Sequence, residues 1–254
     1  MPRFYCPAPL RTGQSIDLPA GAARHVQVLR MQPGESVTLF NSGIQGDGAL
    51  QFVDAGEYQA SIIQMGRNSV TVMVGEHSQP VREYATAVHL VLGVPANDRM
   101  DWLVEKATEL GVGSISPLVT ERSVLRLAGE RAEKKVLHWQ SVAIAACEQC
   151  GGNRVPMVHG MAAFRTYLQN QVGTQSTKAL LSLRSGVQYL QQWKKNAAEH
   201  HSGTDIVFLS GPEGGLSVDE EDAAIAAGFT PLSLGQRTLR AETAALAALS
   251  GLVL

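Results

Sequence analysis

Residues 205–221 read Asp-Ile-Val-Phe-Leu-Ser-Gly-Pro-Glu-Gly-Gly-Leu-Ser-Val-Asp-Glu-Glu. An apolar run from Asp205 to Ser210 enters a glycine-rich turn, and the turn feeds the start of a helix. Ser217 and Glu220 have capping-box spacing, in which a hydroxyl and a carboxylate each satisfy a backbone N–H that the helix leaves open. Strand, loop and helix in immediate succession form the repeating unit of a mostly parallel α/β sheet.

The same alternation extends to both sides. Upstream, Thr86 to Val94 is a buried-strand run, followed by Asp98 to Leu110 with Met100, Leu103, Val104 and Ala107 at helical spacing. Gly111 stands where a helix C′ glycine belongs. Strand Ser114 to Val119, helix Arg131 to Gln149, a short run at Val155 to His159 and a helical stretch from Met161 follow. Strand Lys178 to Leu183 and helix Val187 to Ala198 lead into the opening stretch. Downstream come a helix to Ala227, strand Thr230 to Leu234 and helix Ala241 to Leu252.

The first 75 residues read differently. Short β-rich runs at Ser36 to Asn41, Ala49 to Val53, Tyr58 to Met65 and Ser69 to Val74 are separated by turn signals such as Gly46-Asp47-Gly48. One helical stretch, Gly21 to Met31, interrupts them. Strands so closely spaced suggest a small barrel. The domains expected are therefore 1–75, a linker at 76–84, and an α/β domain over 85–254.

Composition narrows the function. With 44% apolar and 17% charged residues the chain is globular, and its net charge of −2 advertises no global affinity for nucleic acid. No apolar run is long enough for a membrane span, and the N-terminus lacks a basic region before an apolar core, so a cytoplasmic protein is expected. The three cysteines, Cys6, Cys147 and Cys150, are too few for a disulfide scaffold and are expected to be buried and reduced. The histidines show no metal spacing, so no metal is expected.

Several segments carry chemistry. The loop Ser210-Gly-Pro-Glu-Gly-Gly-Leu-Ser217 lies past the carboxyl end of a strand, where α/β sheets bind ligands. It has no lysine and so is no P-loop, and Glu213 would repel a polyphosphate. A neutral or cationic nucleoside fits better, and S-adenosylmethionine, with its sulfonium, meets that description. The alternative is a mere tight turn. A second segment, Leu232 to Thr243, places Arg237 and Arg240 at the mouth of the same sheet. Either an arginine pairs with Glu242 at a helix start, or it contacts a phosphate or base. The most basic stretch, Glu121 to Trp139, carries Arg122 and Arg126 in a loop, better placed for phosphate than the solvated helix face from Arg131 to Lys135.

Ordered blocks along the whole chain resemble the RsmE-type 16S ribosomal RNA (uracil-N3)-methyltransferases of the knotted SPOUT superfamily. They are Pro2 to Tyr5; His25 to Met31; Glu105 to Gly111 with Pro117 and Thr120 to Ser123; Ala146 to Gly151 with Asn153 to Pro156; Gly211 to Gly215; and Leu234-Gly235 with Leu239 to Thr243. One departure is Gly152, where the family usually has arginine: either Arg154 or another group covers its part, or that part is dispensable here. The resemblance implies a PUA-like N-terminal barrel for RNA docking, a C-terminal trefoil knot that connection rules alone argue against, and a homodimer. It implies S-adenosylmethionine as cofactor and 16S ribosomal RNA, within the small ribosomal subunit, as substrate.

Methyl transfer to uracil N3 requires alignment, a proton acceptor and stabilisation of charge spreading over the ring. The expected cofactor contacts are Leu181, Leu183, Gly211, Pro212, Gly214, Leu234, Gly235, Thr238 and Leu239. Arg240 is expected to stabilise the uracil anion or a phosphate. Two roles are open to Glu213, base or partner of the sulfonium. Arg3, Arg30, Arg122, Arg126 and Arg154 are the expected RNA contacts. Two other readings stay open: a methyltransferase of the same fold acting on ribose 2′-oxygen or transfer RNA, and a non-catalytic ribosome-assembly factor.

Overall fold

The computed structural model describes residues 1–43, 56–171, 174–200 and 204–253. The chain divides into two units: Met1–Glu83 with Cys147–Val155, and Tyr84–Ala146 with Pro156–Leu254.

The first unit contains strands β1 (Arg3–Tyr5), β2 (Ser15–Asp17), β3 (Ser36–Phe40), β4 (Glu57–Met65) and β5 (Val70–Ser78), with helix α1 (Ala20–Val28). The strands form one sheet in the order β1-β3-β4-β5-β2. Among the described residues, β1 and β3 pair in parallel and the other neighbours are antiparallel. Alternation drives β5: Val70, Val72 and Val74 are buried while Met73 is exposed. They join Phe4, Val26, Val37, Leu39 and Ile62 in one core. The expected strand Ala49 to Val53 and the turn Gly46-Asp47-Gly48 lie outside the described residues. The linker expected at 76–84 begins too early, because β5 continues to Ser78 against Glu57.

The second unit contains β6 (Val88–Gly93), α2 (Asn97–Glu109), β7 (Ser114–Val119), α3 (Glu130–Cys150), β8 (Met157–Val158), β9 (Ala162–Ala163), α4 (Phe164–Asn170) and β10 (Thr177–Leu181). It continues with β11 (Gln188–Tyr189), α5 (Leu190–His200), β12 (Ile206–Ser210), α6 (Val218–Ala226), β13 (Thr230–Ser233) and α7 (Ala241–Val253). The last turn of α3, from Cys147, belongs to the first unit. The sheet order is β11-β13-β10-β12-β6-β7-β8, with β9 also on β7. Every pairing is parallel. Central strand β6 buries Val88, Leu90, Val91 and Leu92 on both faces, as a sheet covered on both sides requires. The helical stretch expected from Met161 instead opens as β9, and the helix starts at Phe164.

Local chemistry sets the boundaries. In α2, Met100, Leu103, Val104 and Ala107 form the buried stripe. Gly111 then takes φ +78°. Its N–H reaches the Thr108 carbonyl at 2.9 Å and that of Val112 the Ala107 carbonyl at 3.0 Å, a Schellman closure. Helix α6 opens with both bonds of the Ser217/Glu220 capping box. Among the described residues no helix is long and apolar enough to cross a membrane.

Candidate active site

Three adjacent strands, β13, β10 and β12, deliver their carboxyl-terminal loops to one edge of the sheet. A cleft of about 390 Å³ opens there, within the roughly 300–1,000 Å³ of small-molecule sites. Leu181 to Arg184 come from the end of β10 and its loop, Ser210 to Leu216 from the end of β12 and its loop, and Ser233 to Gly235 with Arg237 to Leu239 from the end of β13 and its loop. Ala241 and Ala244 of α7, Val218 and Glu221 of α6, and Arg122 complete the lining. All the residues expected to touch a cofactor line this one cleft: Leu181, Leu183, Gly211, Pro212, Gly214, Leu234, Gly235, Thr238 and Leu239.

The walls are tied internally. The Ser182 N–H bonds the Leu232 carbonyl at 2.9 Å, and the Gly215 N–H bonds that of Pro212 at 2.8 Å. Gly215 has φ +68°, a conformation that favours glycine. Buried Glu220 accepts the Ser217 N–H with Oε2 at 3.0 Å and the Glu121 N–H with Oε1 at 2.9 Å, so that the helix cap also fixes the 121–126 loop. Arg122 uses this placement: its Nη1 donates to the Gly214 carbonyl at 2.7 Å, and the residue lines the cleft. Arg184 pairs with Glu221 and, at 2.6 Å, with Asp222.

The expected catalytic residues have different surroundings. Glu213 lines the cleft, yet its Oε1 accepts the Ala96 N–H at 2.9 Å and Arg99 Nη1 at 3.2 Å. Arg240 is exposed and stands immediately before α7, outside the cleft lining. Its carbonyl accepts the Ala244 N–H at 2.8 Å, the first bond of that helix.

The expected RNA arginines also separate. Arg30 is exposed and holds φ +57° at the C′ position of α1. Its N–H bonds the Gln27 carbonyl at 3.0 Å, and the Met31 N–H bonds that of Val26 at 3.2 Å, a Schellman closure built on arginine instead of glycine. Exposed Arg126 donates to the Glu121 carbonyl at 2.6 Å. Arg154 is half-buried, and its N–H bonds Glu83 Oε1 at 3.2 Å.

Arg3, another of the expected RNA contacts, is engaged within the protein. Its side chain is only 12% exposed. Nη1 donates to Glu57, and Nη2 lies 3.2, 3.0 and 2.9 Å from the Gly151 carbonyl, the Gly152 carbonyl and Asn153 Oδ1. The guanidinium also sits 4.9 Å from the centre of the Phe40 ring. Burial would raise the Glu57 carboxyl, but hydrogen bonds from Arg82 and Arg3 outweigh it and hold the group below the usual carboxylate range. The cysteine expectation is also amended. Cys6 and Cys147 are buried, whereas Cys150 is exposed. A hydrogen bond with Cys150, and then burial, push the Cys147 thiol up.

Sequence reasoning missed Arg99, Arg184 and the second bond of Glu220. Arg99 follows a strand end by a few residues, a signal that was available. The other two depend on tertiary placement.

Comparison with known proteins agrees with this geometry. A family model described as an RNA methyltransferase domain matches residues 82–253. Ribosomal RNA small subunit methyltransferase E of Bacillus subtilis is 28% identical over 227 residues, covering 89% of this chain and 84% of the relative. The protein of that name from Neisseria gonorrhoeae, solved bound to S-adenosyl methionine, superposes with a TM-score of 0.84 at 34% identity, covering 98% of this chain and 95% of the other. A methyltransferase from Legionella pneumophila, in complex with the bound cofactor SAM, superposes with a TM-score of 0.85, also at 34% identity, covering 98% and 96%. This chain belongs to the ribosomal RNA small subunit methyltransferase E family of RNA methyltransferases.

Proposed function

We propose that this chain transfers a methyl group from S-adenosylmethionine to N3 of a uracil in the 16S RNA of the small ribosomal subunit. The cleft carries the cofactor half of this reading. The Gly211–Gly215 loop lines it with Leu234, Gly235, Arg237 to Leu239, Leu181 and Leu183, in the mix of apolar wall and few polar groups that suits an adenosine. No lysine lines it, and two of its three arginines, Arg122 and Arg184, already bond protein acceptors, which suits a nucleoside better than a polyphosphate. The cofactor supplies an electrophilic methyl on a sulfonium.

The remaining work falls to this chain's own residues. The two loops hold the adenosine, so that alignment is settled before the reaction. Arg240, beside the cleft and exposed, stabilises charge spreading over O2 and O4 as the N3 proton passes to solvent water. Arg30 in the first unit, and Arg126 in the second, contact RNA phosphate, as does Arg154 through its side chain. Arg122 serves the cleft first, through Gly214, and RNA second. The relatives' shared name supports small-subunit ribosomal RNA as the substrate class.

Three further expectations belong to this reading. The first unit is an RNA-docking module of the PUA-like kind. The C-terminal region forms a trefoil knot. The chain acts as a cytoplasmic homodimer. Mapping of methylated nucleotides in ribosomal RNA from cells lacking the protein tests the reaction, with calorimetry on S-adenosylmethionine alongside. Unchanged N3-methyluridine in 16S RNA, or no binding of the cofactor, overturns the proposal.

A further inference from the structure

Arg99, in the first turn of α2, bridges two carboxylates from different segments of the site. Nη1 donates to Glu213 Oε1 at 3.2 Å, and the same oxygen takes the Ala96 N–H at 2.9 Å. Nε lies 3.8 Å from Glu242 Oε1. Glu213 belongs to the loop after β12. Glu242 belongs to the first turn of α7, directly behind the loop after β13. Both loops line the cleft, but neither Arg99 nor Glu242 does.

Glu242 makes the bridge consequential. Its side chain is 9% exposed, and Oε2 has no hydrogen-bond partner among the described residues. A carboxylate so placed depends on the neighbouring cation and on the open N–H groups of its own helix start. Withdrawing the guanidinium leaves that charge with the helix terminus alone, and α7 must shift or rotate to rehydrate it. The loop in front of α7 moves with it. The same loss releases Glu213 from one of its two donors and loosens the second wall. Glu213, for its part, has one oxygen committed to two protein donors at the start of α2, which fixes the orientation of its carboxylate.

We infer that Arg99 is a positioning residue for methyl transfer, and that Glu213 acts through Arg99 to hold the two cofactor loops in register instead of accepting the substrate proton. This rests on the reading of the cleft as the S-adenosylmethionine site.

The test is a double-mutant cycle on the full-length protein with Arg99→Gln, Glu213→Gln and the double variant, read by calorimetry with S-adenosylmethionine and by kinetics on small ribosomal subunits. Tight binding of the cofactor by the unaltered protein is the control for the underlying reading; its failure sinks that reading before the variants are reached. Arg99→Gln, which breaks both pairs, is expected to weaken cofactor binding about 10-fold, Glu213→Gln less because the pair with Glu242 survives, and the double variant no more than Arg99→Gln, because the Arg99–Glu213 bond is then already lost. Turnover at saturating cofactor is expected to fall by less than about 10-fold in each, since a positioning defect is largely recovered by saturation. Arg99→Lys, which keeps the charge, is expected to restore part of the affinity and guards against a folding defect in the Gln variant. Strictly additive losses overturn the inference. So does a turnover loss of about 100-fold or more in Glu213→Gln at unchanged cofactor affinity, the signature of a chemical role.

Discussion

Replacing Gly211 by alanine measures how tightly the cofactor loop is folded on itself. A methyl group on Gly211 would stand 2.6 Å from the Leu216 nitrogen, 2.7 Å from the Gly215 carbonyl carbon and 3.0 Å from its Cα. All three are backbone atoms, so no rotamer change can make room. Ordinary contact starts at 3.4 Å, so the two limbs of the loop must part by about 0.8 Å (3.4 − 2.6). Pro212 cannot take up the shift on its other side, because it already packs so closely on Gly93 that a methyl there would meet its Cδ at 2.5 Å. Overpacking of this kind costs about 1–3 kcal/mol. Charged to the bound conformation, that is roughly a 5- to 150-fold loss of affinity for S-adenosylmethionine. Gly214→Ala provides the contrast. Its added methyl would meet only the side chain of Arg122, at 3.1 Å from Cβ and 3.3 Å from Cδ. Rotation can withdraw Cδ at the cost of the bond to the Gly214 carbonyl, while Cβ, fixed to the backbone, must give by about 0.3 Å, and a loss of about 5-fold is expected. Calorimetric titration and thermal melts of the two variants decide the matter. A Gly211→Ala protein with unaltered affinity and melting temperature refutes the reasoning, as does a Gly214→Ala protein more impaired than Gly211→Ala.

Arg3→Ala removes a buried guanidinium with four protein acceptors and is expected to destabilise the first unit by about 3–5 kcal/mol; a urea melt shows it, and a variant of native stability that has only lost RNA affinity contradicts it. Arg30→Gly relieves a left-handed arginine and is expected to gain about 1 kcal/mol, a rise of roughly 2–4 °C in melting temperature, while weakening RNA binding; Arg30→Ala keeps the backbone conformation and shows only the second effect. The Glu57 carboxyl titrates lower in the folded than in the unfolded chain. The unfolded state therefore takes up protons first, and the stability this provides is present above the ordinary carboxylate range and lost as pH falls through the folded value. Glu57→Gln should flatten that acid limb in melts taken between about pH 5 and 3. Arg240→Ala is expected to lower turnover about 100-fold while sparing cofactor affinity, and a variant that loses only RNA affinity moves Arg240 to the docking surface.

The elements that could be read from the sequence are those specified by neighbours along the chain. The Ser217/Glu220 box, Gly111 after α2 and the buried stripe of α2 each depend on spacing within a few residues, and each element stands within a residue or two of its expected place. The cleft was legible for a related reason. A parallel sheet sends its ligand to the carboxyl ends of its strands, so the loops after two strand runs already pointed to residues that line the cleft, whereas Leu181 and Leu183 follow a third strand and belong to neither loop. What escaped depends on order in space. Nothing in the run of residues tells that β13 pairs between β10 and β11, or that β12 lies between β10 and β6. Strands β1 and β2 span three residues each, too few for alternation to register. The return of Cys147–Val155 to the first unit is likewise invisible, because it runs through Arg3, whose acceptors Gly151, Gly152 and Asn153 lie far along the chain.

Arginine is the residue type for which sequence and structure diverge most, and the reason is chemical. Its planar fork offers five donors, and a backbone carbonyl meets that geometry as readily as a phosphate oxygen does. Arg3, Arg82, Arg122 and Arg126 all donate to main-chain carbonyls, and Arg99 and Arg184 to carboxylates. Each is a cross-link between segments distant in sequence or across a loop, and none has its donors fully open to a nucleic acid. Arg30 and Arg240 are different: both are exposed, and neither side chain has a hydrogen bond or ion pair among the described residues. Arg30 also keeps a left-handed backbone that glycine would adopt at no cost, held by the two hydrogen bonds that close α1. Partner-free exposure, together with a backbone that discourages the residue, is therefore a sharper sign of an RNA contact than local positive charge. By that criterion Arg30 ranks above Arg122 and Arg126 for RNA affinity, and a salt-dependence series should give it the larger share of the slope.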